Sequence, residues 1–151
     1  MIEEIRDAAE KKKIARAILE ALPEWFGIPE ARENYIAESA DEVTVAAVED
    51  GTPIGFLCLK ETGRDTVELA VMGVVKERHR RGVGRALFES ARRIAAEKGY
   101  SFLQVKTVQI GRYEEYDRTN RFYLSLGFKE FELMPELWDK QNPCQIYVMA
   151  I

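Results

Sequence analysis

The stretch from Val67 to Lys98 restricts the fold more than any other part of the chain. Val67-Glu68-Leu69-Ala70-Val71-Met72 is a run of strand formers. A basic turn follows, from Lys76 to Arg81, and it is broken by Gly82 and Gly84. Beyond it Val83, Ala86, Leu87, Ala91, Ile94 and Ala95 recur at three- and four-residue spacing, which predicts an amphipathic helix running up to Gly99. A strand that turns through glycines into a helix presents backbone N–H groups with no partner of their own, at the positive end of the helix dipole. Glycine lets a ligand approach that backbone closely, and Arg80, Arg81 and Arg85 add charge. The corner is a candidate seat for a phosphate or pyrophosphate; the plain alternative is a helix start with solvated arginines. Neither Gly-x-x-x-x-Gly-Lys-Ser/Thr nor Gly-x-Gly-x-x-Gly occurs, which argues against a P-loop NTPase and a dinucleotide-binding unit.

The 151 residues are enough for one domain, 1–151, with its own core. The net charge of −4 argues against a nucleic-acid partner, because a phosphate-contacting surface is usually basic. The basic residues instead concentrate at 76–85, where they suit a small anion. No apolar run approaches the roughly 18 residues of a membrane span, and the acidic opening Met1-Ile2-Glu3-Glu4 is unlike a signal peptide. Cys58 and Cys144 stand singly in apolar runs, which predicts reduced, buried thiols in a cytoplasmic protein; a catalytic cysteine is the less favoured reading. His79 is the only histidine, so no second one can join it at a metal, and no metal is expected.

Taken in order, residues 3–21 predict a helix with a stripe through Ile5, Ala8, Ala9, Lys12, Ala15, Ile18, Leu19 and Leu22, stopped by Pro23. Trp25 and Phe26 lie in an aromatic loop between two prolines; they fit either core packing between helices or a wall of a substrate pocket. A second helix is predicted over 30–40, with Tyr35 and Ile36 inward. Strands follow at 43–49 and 53–61, joined through Asp50-Gly51, a strong hairpin signal. A further strand covers 66–72, then the central helix, then a strand at 102–108. The remainder reads as a polar loop at 109–119, a short helix at 120–126 closed by Gly127, a strand at 128–133, a loop at 135–142 and a last strand at 144–151. The expectation is a mixed α/β domain, a central sheet flanked by helices.

Two motifs give this order a family. His79-Arg80-Arg81-Gly82-Val83-Gly84 resembles the Gln/Arg-x-x-Gly-x-Gly/Ala loop of the GCN5-related N-acetyltransferase (GNAT) superfamily, departing from it at His79. Asn120, Phe122, Tyr123, Gly127 and Phe128 match that family's Asn-x-x-Phe-Tyr-x-x-x-Gly-Phe in full. The resemblance implies a mostly antiparallel mixed sheet whose strands four and five splay apart in parallel. It implies acetyl-CoA as cosubstrate and direct acyl transfer to an amine. It places the pyrophosphate on the N–H groups of Arg81 to Arg85, including Gly82, Val83 and Gly84, with His79 and Arg80 beside them. It sets the pantetheine arm along Met72 and Val74, and a break or bulge near Met72-Gly73 suits that.

The resemblance also assigns roles at the slot. Tyr123 is the expected proton donor to the departing thiolate, set against aromatic packing beside Phe122. Asn120 is expected to touch the coenzyme arm, or else to cap its helix. A backbone N–H between Met72 and Val74 is the natural oxyanion donor. Glu68, the one charge in an apolar strand, faces away from Val67, Leu69 and Val71 by alternation. It precedes Gly82 by fourteen positions, the spacing of the general-base glutamate in the family's histone-acetylating branch. Partial burial would raise its pKa and suit it to proton removal; a solvent-facing residue is the alternative. Glu114, Glu115 and Asp117 could attract a cationic amine. A small or aminoglycoside-like primary amine is the favoured acceptor, with a protein lysine or N-terminus, or a non-catalytic acyl-CoA sensor, as alternatives. A homodimer is common in the family.

Overall fold

A computed structural model describes residues 1–151. In chain order the elements are β1 (Ile2–Ile5), α1 (Ala8–Glu20), α2 (Pro29–Ser39), β2 (Val43–Glu49), β3 (Thr52–Glu61), β4 (Thr66–Val74), α3 (Val83–Glu97), β5 (Phe102–Val108), α4 (Glu114–Leu126), β6 (Lys129–Asp139) and β7 (Asn142–Ala150). The strands form one sheet in the order β1-β2-β3-β4-β5-β7-β6. All neighbours are antiparallel except β4 and β5, which run parallel. The expected mixed, mostly antiparallel α/β sheet is therefore present.

Helices cover both faces, and each face holds its own core. On one, Leu87, Phe88, Ala91 and Ala95 of α3 pack against Val45, Leu57, Leu69, Leu103 and Val105, with Tyr123 and Phe128 alongside. On the other, Ile14, Ala15, Ile18 and Leu19 of α1 and Ile36 of α2 cover Ala46, Phe56, Cys58 and Val71. The α3 stripe differs by one residue from the expected one: Ala86 is exposed and Phe88 is buried.

Beyond shifts of one or two residues at element ends, four features differ from those expected. Ile2–Ile5 is a short edge strand paired with β2, not the start of a helix. The helix begins after Asp7, whose carboxylate accepts from the Glu10 N–H at 2.9 Å, an N-cap that interrupts the stripe drawn through Ile5. The segment 114–119 is helical, so α4 is thirteen residues long, and its acidic first turn is a helix-start signal. β6 continues through Pro135 to Asp139, where a loop is expected; it is an edge strand, and an edge tolerates proline. The fourth difference lies in β4 and shapes the site.

Candidate active site

The β4 bulge is at Ala70 and not at Met72-Gly73: Cys58 pairs with Val71 and Leu59 with Leu69, so Ala70 is the extra residue. An extra residue reverses the alternation beyond it. Leu69 faces the α3 core, whereas Val71 faces the α1 core. Glu68 therefore lies opposite Val67 and Leu69 as expected, but on the same face as Val71. Past the bulge, Val75 donates its N–H to the Ile54 carbonyl at 2.9 Å. Hydrogen-bonded pairs alternate in an antiparallel ladder, so Gly73 also faces β3, while Met72 and Val74 turn their N–H and C=O groups the other way.

That other way is open. β4 and β5 are paired only at Thr66–Glu68 and Phe102–Gln104, and from there they part. The gap widens into a cleft of about 1460 Å³ that passes between the two helical layers. Glu68 and Lys106 stand where the strands part, joined by a 3.0 Å ion pair across the fork. Glu68 does not line the cleft wall, and its side chain is 15% exposed.

At one end of the cleft is the start of α3. Gly82 is the residue before the helix, with φ 79, a left-handed conformation that suits glycine. The first N–H to reach back is that of Ala86, to the Gly82 carbonyl at 3.0 Å, so the N–H groups of Val83, Gly84 and Arg85 have no partner within the helix. No side chain caps them and no acidic residue occupies the first turn, whereas the first turns of α1, α2 and α4 all carry glutamate. Arg80, Arg81 and Arg85 have no carboxylate partner; Arg85 donates to the Ser125 carbonyl at 3.3 Å. By contrast Lys76 and Arg78 are tied to Glu24 and Glu49. Gly84 has a different reason to be glycine: a Cβ there would sit 3.1 Å from the Phe122 ring and 3.7 Å from the Met72 methyl. His79 is exposed, and its Nε2–H donates to the Val74 carbonyl at 2.6 Å, which occupies one of the groups β4 turns toward the gap.

Tyr123 is on the wall midway. Its ring packs against Phe122, Phe128 and Tyr147, and only 6% of the residue is exposed. Its hydroxyl has no hydrogen bond to the chain but is not sealed off from the cleft. Burial holds the phenol well above its usual pKa, and the neighbouring Tyr35 and Tyr116 add to the shift. It therefore stays protonated at neutral pH and can donate. Asn120, three residues earlier, does not reach the cleft. It is fully buried, its amide donates to the Val108 and Tyr116 carbonyls at 2.9 and 2.7 Å, and its oxygen accepts from the Tyr147 hydroxyl at 2.5 Å. These bonds brace α4 against β5 and β7.

The far end carries residues that pattern alone does not single out. Trp25 donates its indole N–H to the Glu115 carbonyl at 3.3 Å, and the Tyr116 hydroxyl returns a bond to the Trp25 carbonyl at 3.1 Å. These bonds clamp the α1–α2 loop to α4, so Trp25 and Phe26 are wall residues and also pack on the α1 core. Tyr35, Arg32 and Trp138 complete this end. The acidic cluster disperses: Asp117 accepts from the Gly111 N–H at 2.7 Å, Glu114 pairs with Arg118, and only Glu115 reaches the wall. Nothing local marks Arg32 in the sequence; its place depends on where α2 docks.

A sheet forked between two parallel strands, with an uncapped, arginine-flanked helix start at the fork, is the architecture of an acyl-CoA-dependent acyltransferase. The family model described as acetyltransferase (GNAT) domain matches residues 39–130, and the chain belongs to that family of N-acetyltransferases, which use acetyl-CoA as acyl donor. Solved structures share the fold. A protein from Desulfovibrio desulfuricans assigned to the GNAT acetyltransferases superposes with a TM-score of 0.84 at 21% identity, covering 99% of this chain and 98% of that one. An IAA acetyltransferase from Bacillus cereus gives 0.77 at 20%, covering 100% and 99%. An aminoglycoside 6'-N-acetyltransferase complexed with coenzyme A gives 0.76 at 18%, covering 99% and 96%. Among the curated proteins none matches. No group of three or more histidine, cysteine or acidic side chains is placed to hold a metal.

Proposed function

We propose that this protein transfers the acetyl group of acetyl-CoA directly to a primary amine on a small molecule. The observation that supports it most is the uncapped start of α3, with its free N–H groups and unpaired arginines, opening onto the same cleft as the Tyr123 hydroxyl. Bound acetyl-CoA supplies a thioester acyl group. The N–H groups of Val83, Gly84 and Arg85, with Arg80, Arg81 and Arg85 around them, hold its diphosphate. Met72, through N–H and C=O, and Val74, through its N–H, align its arm; the Val74 carbonyl is already taken by His79. The Met72 N–H is the candidate donor to the thioester oxygen. Tyr123 gives the proton the thiolate needs. Glu68 takes the amine proton at one remove, through water, with Lys106 holding the carboxylate in place.

The small-molecule acceptor is supported by the far end, walled by the aromatic side chains Trp25, Phe26, Tyr35 and Tyr116 and clamped to α4. Coenzyme-A release should be followed with an amine panel in wild type, Tyr123→Phe and Glu68→Gln. Because the Tyr123 hydroxyl has no partner to lose, Tyr123→Phe should leave folding and acetyl-CoA affinity intact and lower kcat about 100-fold. Glu68→Gln should lower kcat/KM most below neutral pH, where the amine is most protonated. Tight acetyl-CoA binding with no turnover on any amine would favour the sensing role instead.

A further inference from the structure

Arg32 is a cation of the cleft wall without a carboxylate partner. It stands near the start of α2, beside Phe26 and Tyr35. Its only hydrogen bond is from Nη1–H to the Phe26 carbonyl at 3.4 Å, near the limit for such a bond. Its Nε is buried with no partner, the only buried side-chain nitrogen or oxygen in the chain left so. Within the chain its five N–H donors make that one long bond, and the Nη groups stay open to the cleft. The neighbouring charges are engaged. Lys76 holds Glu24, Lys106 holds Glu68 at 3.0 Å and Arg118 holds Glu114 at 3.4 Å. Asp139 accepts from the N–H groups of Gln141 and Asn142 in its own turn. Glu115, on α4, and Asp139 are the carboxylates on the cleft wall without a cation, and neither pairs with Arg32.

A buried guanidinium N–H short of an acceptor is costly to the free protein. A ligand carboxylate matches its planar fork with two charge-assisted bonds, and Phe26 and Tyr35 beside it offer apolar surface to the rest of the ligand. A polycationic amine would meet the Arg32 charge at close range. We propose that Arg32 anchors a carboxylate of the acceptor, so that the substrate class is a primary amine carrying a carboxylate on an apolar or aromatic body. The inference rests on the acetyl-transfer reading for the position of the amine, toward Tyr123, while the anchor itself is a binding property.

Two compounds test it: 4-(aminomethyl)benzoate and 4-(aminomethyl)benzamide share the ring and the amine and differ in the anionic group. Their binding to the CoA-saturated protein is followed by thermal shift and calorimetry, and acetyl transfer is measured on the same pair. Wild type should bind the benzoate about 10- to 100-fold more tightly. Arg32→Gln should remove that preference by weakening the benzoate alone, and Arg32→Lys should keep part of it. Unchanged stabilisation by CoA shows that both variants are folded. Equal affinity for the two compounds in wild type, or a preference that survives Arg32→Gln, overturns the proposal. Selective, Arg32-dependent binding of the benzoate without acetylation leaves the anchor standing and overturns the acetyl-transfer reading instead.

Discussion

Gly82 and Gly84 are two residues apart, yet different forces hold them. Gly82 has open space around its missing Cβ, and its constraint is a φ of 79, where an L-residue is strained by about 1–2 kcal/mol. Gly84 is constrained by the Phe122 ring 3.1 Å away. The substitutions should therefore fail differently. Gly82→Glu places a carboxylate among unpaired N–H groups, where it would compete with and repel a diphosphate, and should weaken CoA at least about 10-fold by calorimetry. Gly84→Ala should push Phe122 and the adjacent Tyr123, lowering kcat more than CoA affinity. Asn120 is a third case. Asn120→Leu leaves two carbonyls and the Tyr147 hydroxyl short of partners inside the protein. Each such group costs about 1–3 kcal/mol, so thermal unfolding should show a loss of roughly 10 °C, far more than Tyr123→Phe.

Among the elements, β4 does most to connect the layers. Its bulge at Ala70 lets one strand feed both cores, with Leu69 turned to α3 and Val71 to α1. It also leaves Met72 and Val74 facing the fork while Gly73 faces β3. A Cβ on Gly73 would meet the Leu22 and Ile18 side chains at 2.9 and 3.0 Å, on the α1 side. Gly73→Ala should cost about 1–3 kcal/mol in chemical denaturation through overpacking. Its N–H and C=O point to β3 and not to the gap, so CoA affinity should change little. A large loss of CoA affinity would mean that the α1 packing sets the position of the Met72 and Val74 groups.

Across the whole molecule, burial sets the titration behaviour. Glu42 is 7% exposed, and burial, with Glu38 nearby, pushes its carboxyl up to about 7. Lys11 does not relieve it, since its ammonium binds the Glu42 backbone carbonyl at 2.7 Å. An acid whose pKa is higher folded than unfolded holds its proton longer in the native state. Its contribution is full below the ordinary glutamate range and is lost as pH rises through about 7. Stability should therefore fall by roughly 1–3 kcal/mol between pH 5 and 8, and Glu42→Gln should flatten that slope and be the more stable protein at pH 8. A slope unchanged in Glu42→Gln would assign it to other groups. The same burial pushes the Cys58 thiol up to about 12 and Cys144 up to about 11, consistent with two unbridged buried cysteines that the single placements in apolar runs already indicate. No helix is long and apolar enough to cross a membrane.

Local pattern was enough for α3, the Asp50-Gly51 hairpin, the two glycine-bearing motifs and hence the family, because these are set by periodicity and backbone conformation over a few residues. The capping Asp7 and the acidic first turn of α4 were also present as signals, although apolar spacing alone read past both. The bulge at Ala70 was not legible: Val67 to Val74 alternates in burial without a break, and only pairing with β3 shows that one residue is surplus. Nor could spacing show that Asn120 spends its polar atoms indoors, that Lys106 meets Glu68, or that Arg32 reaches the cleft with its guanidinium unmet. Those depend on contacts between elements far apart in the chain, which come into being only when the two helical layers close on the forked sheet.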